Sequence, residues 1–255
     1  MRIAAGFCCD RKRRIRVKRA LVTGGSGAIG AAVCRRLAFD GHHVYVHANR
    51  NAQAAESLVT EIVAAGGSAA AVVFDVTDPQ AVAAAVAAMS ECGPIQVLVN
   101  NAGIHDDAVF PAMRAEQWRR VIEVSLHGFF HITQPLVLPM IRERWGRIIN
   151  LSSVAALAGN RGQVNYAAAK GALQAATKSL ALELASRGVT VNAVAPGIID
   201  GGMGEGVLDR ATIERLVPMK RPGRPEEVAD LIAFLASERA GYITGQIISI
   251  NGGLI

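Results

Sequence analysis

The sequence predicts a doubly wound α/β fold: one parallel sheet of about seven strands with helices on both faces. Two observations carry this. Short aliphatic and β-branched runs alternate with helical patterns from residue 17 to the end, and a glycine-rich turn joins the first run to the first helix. Composition agrees, with 51% of the 255 residues hydrophobic, only 5% aromatic and 26 of them glycine. That mix suits a buried parallel sheet wrapped by alanine-rich helices.

The elements follow in order. Residues 17–23 form a strand that ends in glycines, and 28–40 form a helix closed by Gly41. Residues 43–48 alternate as a second strand, and 53–65 form a helix stopped by Gly66 and Gly67. Residues 70–74 are a third strand, after which Pro79 opens a helix in the first-turn position that proline tolerates. Residues 96–100 are a fourth strand. A long helical pattern over 116–144 is expected to break at Pro135 and Pro139. Residues 146–151 form a fifth strand, 165–187 a long alanine-rich helix ending at Gly188, and 189–194 a sixth strand. A looser, briefly helical stretch leads to a helix over 225–237 and a last short strand over 246–250. No repeat or second domain is apparent, so 17–255 reads as one Rossmann-type domain.

The net charge of +6 is unevenly placed. Eight of the 27 Lys and Arg, but only one of the 21 acids, fall in residues 1–19, so the rest of the chain is close to neutral. Residues 1–16 read as a solvated basic arm, which makes nucleic acid an unlikely partner for the body. The apolar stretch before the bases is too short for a secretory signal. No segment approaches the roughly 18 consecutive apolar residues of a membrane span. Cys8, Cys9, Cys34 and Cys92 show neither metal nor disulfide spacing, so a reducing, cytoplasmic setting and no metal are expected.

In a doubly wound sheet, ligands bind beyond the carboxyl ends of the strands. Gly25, Gly27 and Gly30 fall there with G-x-G-x-x-G spacing, between a strand and a helix. Glycine allows the tight turn and a close approach to a pyrophosphate, and the helix N-terminus adds partial positive charge. Gly24, Ser26 and Ile29 complete this loop. The second strand ends in His47-Ala48-Asn49-Arg50 with no acid for a ribose 2′-hydroxyl, while Arg50 is available for a 2′-phosphate. NADP(H) is therefore the expected cofactor, with Asn49 and Arg50 at its adenosine end.

Tyr166-Ala167-Ala168-Ala169-Lys170 is a Y-x-x-x-K pattern, with Ser153 thirteen residues before the tyrosine. Together with the glycine loop, Asn100-Asn101-Ala102-Gly103 and Pro196-Gly197, it resembles the classical short-chain dehydrogenase/reductase family over nearly all of 17–255. Gly159-Asn160-Arg161-Gly162-Gln163-Val164-Asn165 and the ending Ile250-Asn251-Gly252-Gly253 are most like its 3-oxoacyl-acyl-carrier-protein reductases. The resemblance implies Tyr166 as the general acid, a lysine that lowers the phenol's pKa, and Ser153 holding the substrate oxygen. It also implies that Asp75 and Val76 meet the adenine and that Asn101, Ala102 and Gly103 line the cofactor cleft. Lys170 would bind the nicotinamide ribose, and Pro196, Gly197 and Ile199 would sit beside the carboxamide. A 3-oxoacyl thioester on acyl carrier protein or coenzyme A is the implied substrate, Arg144 and Arg187 the implied carrier-docking bases near the cleft mouth, and a homotetramer the implied assembly. The same motifs would serve a dehydrogenase of another secondary alcohol or ketone, or a weakly active cofactor-binding paralogue acting as a partner subunit.

Three positions depart from the family pattern. Ala28 stands where the loop's middle glycine is usual. Gly201 stands where a threonine often bonds the cofactor. Ser125 replaces the asparagine of the catalytic tetrad. Its main-chain carbonyl, the group used in the family, survives the change, but the helix kink that asparagine supports is put in doubt. Residues 201–218 read as a lid, with Met203, Val207, Leu208 and Leu216 as its apolar wall.

Overall fold

The computed structural model describes residues 17–201 and 209–255. The basic arm and the lid residues Met203, Val207 and Leu208 lie outside them.

Seven parallel strands form one sheet in the order β3-β2-β1-β4-β5-β6-β7. They are β1 (Arg19–Val22), β2 (His43–Ala48), β3 (Ser68–Val73), β4 (Val97–Asn100), β5 (Gly146–Leu151), β6 (Val189–Pro196) and β7 (Ile247–Ile250). The order reverses direction between β1 and β4, and this switch point opens a crevice at the carboxyl ends of those strands. Alternation sends neighbouring side chains to opposite faces. Ala20 and Val22 of β1 join one core, whereas Leu21 joins the other.

The first core packs α1 (Ala28–Phe39), α2 (Ala52–Ala64) and α9 (Pro225–Ala236) on the sheet through residues such as Val33, Leu37, Leu58 and Ile232. The second packs α3 (Pro79–Ser90), α5 (Gly128–Glu143) and α7 (Val164–Leu184), burying Val86, Met89, Leu136, Met140 and Leu184. Shorter helices are α4 (Ala115–Ile122), α6 (Ala155–Ala158) and α8 (Arg210–Leu216). Local signals set several of these ends. Asp78 caps α3 through the amides of Gln80 and Ala81, with Pro79 opening the first turn, and Asn51 caps α2 through Ala54.

The expected break at Pro135 and Pro139 does not occur: α5 runs through both. Each proline removes one backbone bond, but Ile132, Leu136 and Met140 lie buried on the sheet-facing side, and that packing holds the helix. The interruption lies earlier, where Glu123–His127 forms a π-helical turn between α4 and α5. By length and apolar composition the run Ala115–Glu143 could cross a membrane. Here it lies against the sheet, burying Val121, Ile132, Leu136 and Met140. Cys34 and Cys92 are free thiols.

Candidate active site

The glycine turn is pinned from three strands. The Gly24 amide donates to Nδ1 of His47 at 2.9 Å, and the Gly25 amide donates to the His47 carbonyl at 2.7 Å. The Gly24 carbonyl accepts from Asn101 Nδ2 at 3.0 Å and from the Gly27 amide at 3.1 Å. Thr23 Oγ1, at the end of β1, accepts from the amides of Asn101 and Ala102 at 3.0 Å each. Gly30 must be glycine: a Cβ there would lie 2.2 Å from the Gly24 carbonyl oxygen.

This arrangement sorts the loop's donors. The amides of Gly24 and Gly25 face the protein and are already used. Gly27 is exposed and gives α1 no side-chain cap, so the amides of Ala28, Ile29 and Gly30 are the helix's own unmatched donors. An uncapped N-terminus beside half-buried Ser26 fits a pyrophosphate. Asn49 and Arg50 are exposed just past β2, and Asp75 follows β3. Asp75 accepts from the Thr77 amide and hydroxyl at 2.8 and 2.7 Å, and these bonds, with the Arg50 charge, hold its carboxyl below the usual range against the effect of burial. Buried Val76 lies beside it.

Tyr166 and Lys170 lie one turn apart on α7, 8% and 2% exposed, with Lys170 Nζ 5.7 Å from the centre of the Tyr166 ring. Asn165, fully buried, fixes this helix start by donating to the Asp106 carbonyl at 2.9 Å and accepting from the Tyr166 amide at 2.8 Å. Ser153 follows β5, lies near enough to the Tyr166 phenol to influence its pKa, and accepts from the Ala155 amide at the start of α6 at 3.1 Å. Burial raises the Tyr166 pKa, the Ser153 hydroxyl opposes that, and the Asp107 charge adds to it. The lowering expected from Lys170 is not among these effects. Lys170 Nζ instead donates to the Leu151 carbonyl at 2.7 Å, and its burial brings its own pKa down to about 8.

Ser125 falls in the π-helical turn, so the kink is kept without the asparagine. Its hydroxyl is buried with no hydrogen-bond partner among the described residues, beside a cavity of about 10 Å³ that Thr23, Asn100 and Ala102 also line. A Cβ on Gly103 would lie 3.1 Å from Lys170 Nζ and 3.6 Å from Ser125 Oγ, so glycine lets these two groups converge. Behind them runs a buried polar chain: Asn100 donates to Thr133 and Asn150 at 3.0 and 2.9 Å, and Asn150 to Thr177 at 2.8 Å.

Gly201 has φ +64°, and a Cβ there would stand 3.3 Å from the Ala28 methyl. Two of the departures therefore face each other: alanine at 28 occupies space that a side chain at 201 would need. Pro196 ends β6 opposite Ile250, the Gly197 amide donates to Ile250, and buried Ile199 bridges to Gly223.

Arg144 and Arg187 do not join this cleft. They precede β5 and β6, whereas Ser153 and Pro196 lie at those strands' opposite ends. A helix spans about 1.5 Å per residue, so Arg187 stands about 30 Å along the α7 axis from Tyr166. The two arginines are close to each other instead, Arg144 donating to the Ser186 carbonyl at 3.3 Å. Thr23, His47 and Asn165 also shape the site, and their places at strand ends and a helix start are the only sign of this in the sequence.

A family model described as Enoyl-(Acyl carrier protein) reductase, of the short-chain dehydrogenase type, matches residues 24–255. The chain belongs to the short-chain dehydrogenase/reductase family. Nodulation protein G of Azospirillum brasilense is 44% identical over 240 residues, 93% of this chain and 98% of that protein. The 3-oxoacyl-[acyl-carrier-protein] reductase of Synechocystis is 45% identical over 238 residues, 92% of this chain and 96% of the other. Among solved structures, a putative gluconate dehydrogenase from Agrobacterium tumefaciens superposes with a TM-score of 0.90 at 31% identity, covering 93% of this chain and 95% of that one. Within the short-chain dehydrogenase/reductase family, this chain is closely related to the 3-oxoacyl-acyl-carrier-protein reductases.

Proposed function

We propose that this enzyme uses NADPH to reduce a 3-oxoacyl thioester, carried on acyl carrier protein or coenzyme A, to the 3-hydroxyacyl product. The observation that carries this is the convergence of Ser153, Tyr166 and Lys170 beside a glycine turn whose helix N-terminus is left uncapped. Relatedness to the 3-oxoacyl reductases supplies the substrate class.

NADPH, when bound, supplies the hydride. The uncapped first turn of α1 and Ser26 would hold its pyrophosphate, Arg50 and Asn49 its 2′-phosphate, and Asp75 with Val76 its adenine. Gly103 would leave room for the nicotinamide end, Lys170 would hold the ribose, and Pro196, Gly197 and Ile199 would border the carboxamide. Ser153 orients the substrate carbonyl oxygen through its hydroxyl. Tyr166, whose raised pKa keeps its proton in place at neutral pH, gives that proton to the same oxygen. The buried Lys170 ammonium stabilises the phenolate left behind. The Ser125 carbonyl assists Lys170 from the π-helical turn.

We assign residues 17–255 to this one domain and residues 1–16 to a separate basic arm. The outer faces of α5 and α7 expose Phe130, Leu138 and Leu182, which supports a homotetramer built on these helices. The free thiols of Cys34 and Cys92 support a cytoplasmic location.

A second reading, reduction of an enoyl thioester, is favoured by the description of the matching family model. NADPH oxidation with acetoacetyl-coenzyme A, crotonyl-coenzyme A and a small ketone decides between them. Turnover of the 3-oxo thioester well above the others supports the proposal, and preference for either of the others refutes it.

A further inference from the structure

His47 lies at the end of β2, 1% exposed, and makes no use of its position toward solvent. Each ring nitrogen has a partner of defined polarity. The Gly24 amide donates, so Nδ1 is the acceptor and carries no proton, and the proton therefore sits on Nε2, 2.9 Å from the Phe74 carbonyl. Phe74 immediately follows β3 and precedes Asp75, and its ring packs 4.2 Å from the imidazole. One side chain thus joins the glycine turn after β1, the Asn49–Arg50 segment after β2 and the Asp75 segment after β3.

The main chain of His47 completes the link, because its carbonyl accepts from the Gly25 amide at 2.7 Å. The two leading amides of the turn are consumed by this residue. The peptide before Gly24 is held in one orientation, and φ of +62° at Gly24 then turns the chain toward the amides of α1. Without the imidazole acceptor the Gly24 amide would face a side chain unable to receive it unless the turn reoriented.

We infer that His47 is a positioning residue for the dinucleotide: its neutral imidazole, accepting from Gly24 and donating to Phe74, sets the glycine turn in register with the adenosine-binding ends of β2 and β3. The inference rests on reading this cleft as a nicotinamide dinucleotide site. It goes further in assigning cofactor affinity to a residue that would not touch the cofactor. Burial brings the His47 pKa down to about 4, in keeping with a ring that stays neutral.

Two substitutions separate the two bonds. In His47→Asn the amide oxygen takes the place of Nδ1 and keeps the acceptor for Gly24. In His47→Gln the amide nitrogen reaches toward Phe74 and the acceptor is lost. Hydrogen exchange at the Gly24 amide reads the first bond directly and needs no ligand. Protection should survive in His47→Asn and fall by about tenfold or more in His47→Gln, while exchange at the β4 and β5 amides stays unchanged in both. Titration of each full-length variant with NADPH should then give a dissociation constant raised about tenfold in His47→Gln and largely restored in His47→Asn, with kcat at saturating NADPH little altered.

Equal protection at Gly24 in the two variants, or equal affinity for NADPH, overturns the inference. The exchange difference present with a wild-type chain that binds neither NADPH nor NADH would instead refute the cofactor reading, leaving the role of His47 in shaping the turn intact.

Discussion

Lys170 points its ammonium at the carbonyl of Leu151, 2.7 Å away, from a position only 2% exposed to solvent. Burial brings its pKa from 10.5 down to about 8. An unfolded lysine stays charged up to about pH 10.4, so at neutral pH the fold carries a buried charge that the unfolded chain would keep in water. The lowered pKa therefore works against stability below about 8, and the penalty disappears as pH rises toward the unfolded value. Lys170→Met should abolish turnover yet raise stability at neutral pH, by on the order of 1–2 kcal/mol after the lost bond to Leu151 is counted. Denaturant midpoints at neutral pH and near the unfolded value should show the gain at the first and its absence at the second. Wild-type activity should decline above the lysine's pKa of about 8 as the charge that supports the phenolate is lost.

Acid acts through different residues. His43 and His47 are buried, each with its pKa brought down to about 4, chiefly by burial. As pH falls below 6.5 the unfolded chain takes up protons at these rings that the folded chain refuses, so stability falls across the window from 6.5 to about 4. For His47 alone the full loss is on the order of 3 kcal/mol. Thermal unfolding across that window should show a falling midpoint, with a smaller fall in His47→Asn, which has nothing to protonate there.

Ser125 buries a hydroxyl that finds no partner among the described residues. Removing such a group is neutral or stabilising, whereas removing one member of a made bond is not. Ser125→Ala should leave stability unchanged or raise it by about 1 kcal/mol. It should keep kcat within a few-fold, because the carbonyl offered by the π-helical turn is main chain. A large loss of kcat at unchanged stability would show that the hydroxyl itself takes part.

Arg50 is exposed and its charge is felt by Asp75. If it meets the 2′-phosphate, Arg50→Ala should raise KM for NADPH by about tenfold or more and leave KM for NADH nearly unchanged, as expected for loss of a charge-assisted bond of about 1.5–3 kcal/mol. Initial rates with the two cofactors, for both forms, measure this directly.

Much of the architecture was legible because its signals are local. β2 begins and ends where the alternation of 43–48 says, and Pro79, Gly41 and Gly188 mark helix boundaries by their own backbone chemistry. Tyr166, Lys170 and Ser153 were legible from spacing. What spacing could not show was contact between distant segments. Pro135 and Pro139 predict a break until the packing of Leu136 and Met140 on the sheet is known. Ala28 and Gly201 look like two separate departures until the Ala28 methyl is found 3.3 Å from where a Cβ at 201 would stand. His47 looked like an ordinary strand residue, and its use of both ring nitrogens depends on segments 23 residues before it and 27 residues after it. Arg144 and Arg187 were placed by family position alone, and only the strand direction shows that within one chain they stand at the end of the sheet opposite Ser153 and Pro196.

Tyr166 is proposed to deliver the proton to a 3-oxo thioester reduced by NADPH. Turnover of acetoacetyl-coenzyme A by the wild type and by Tyr166→Phe, read through NADPH absorbance with NADPH binding measured on both, tests that role. Turnover by the wild type, a loss of at least about 100-fold in kcat for the phenylalanine form, and equal NADPH affinity are expected. Turnover surviving in Tyr166→Phe at wild-type rates would rule the role out.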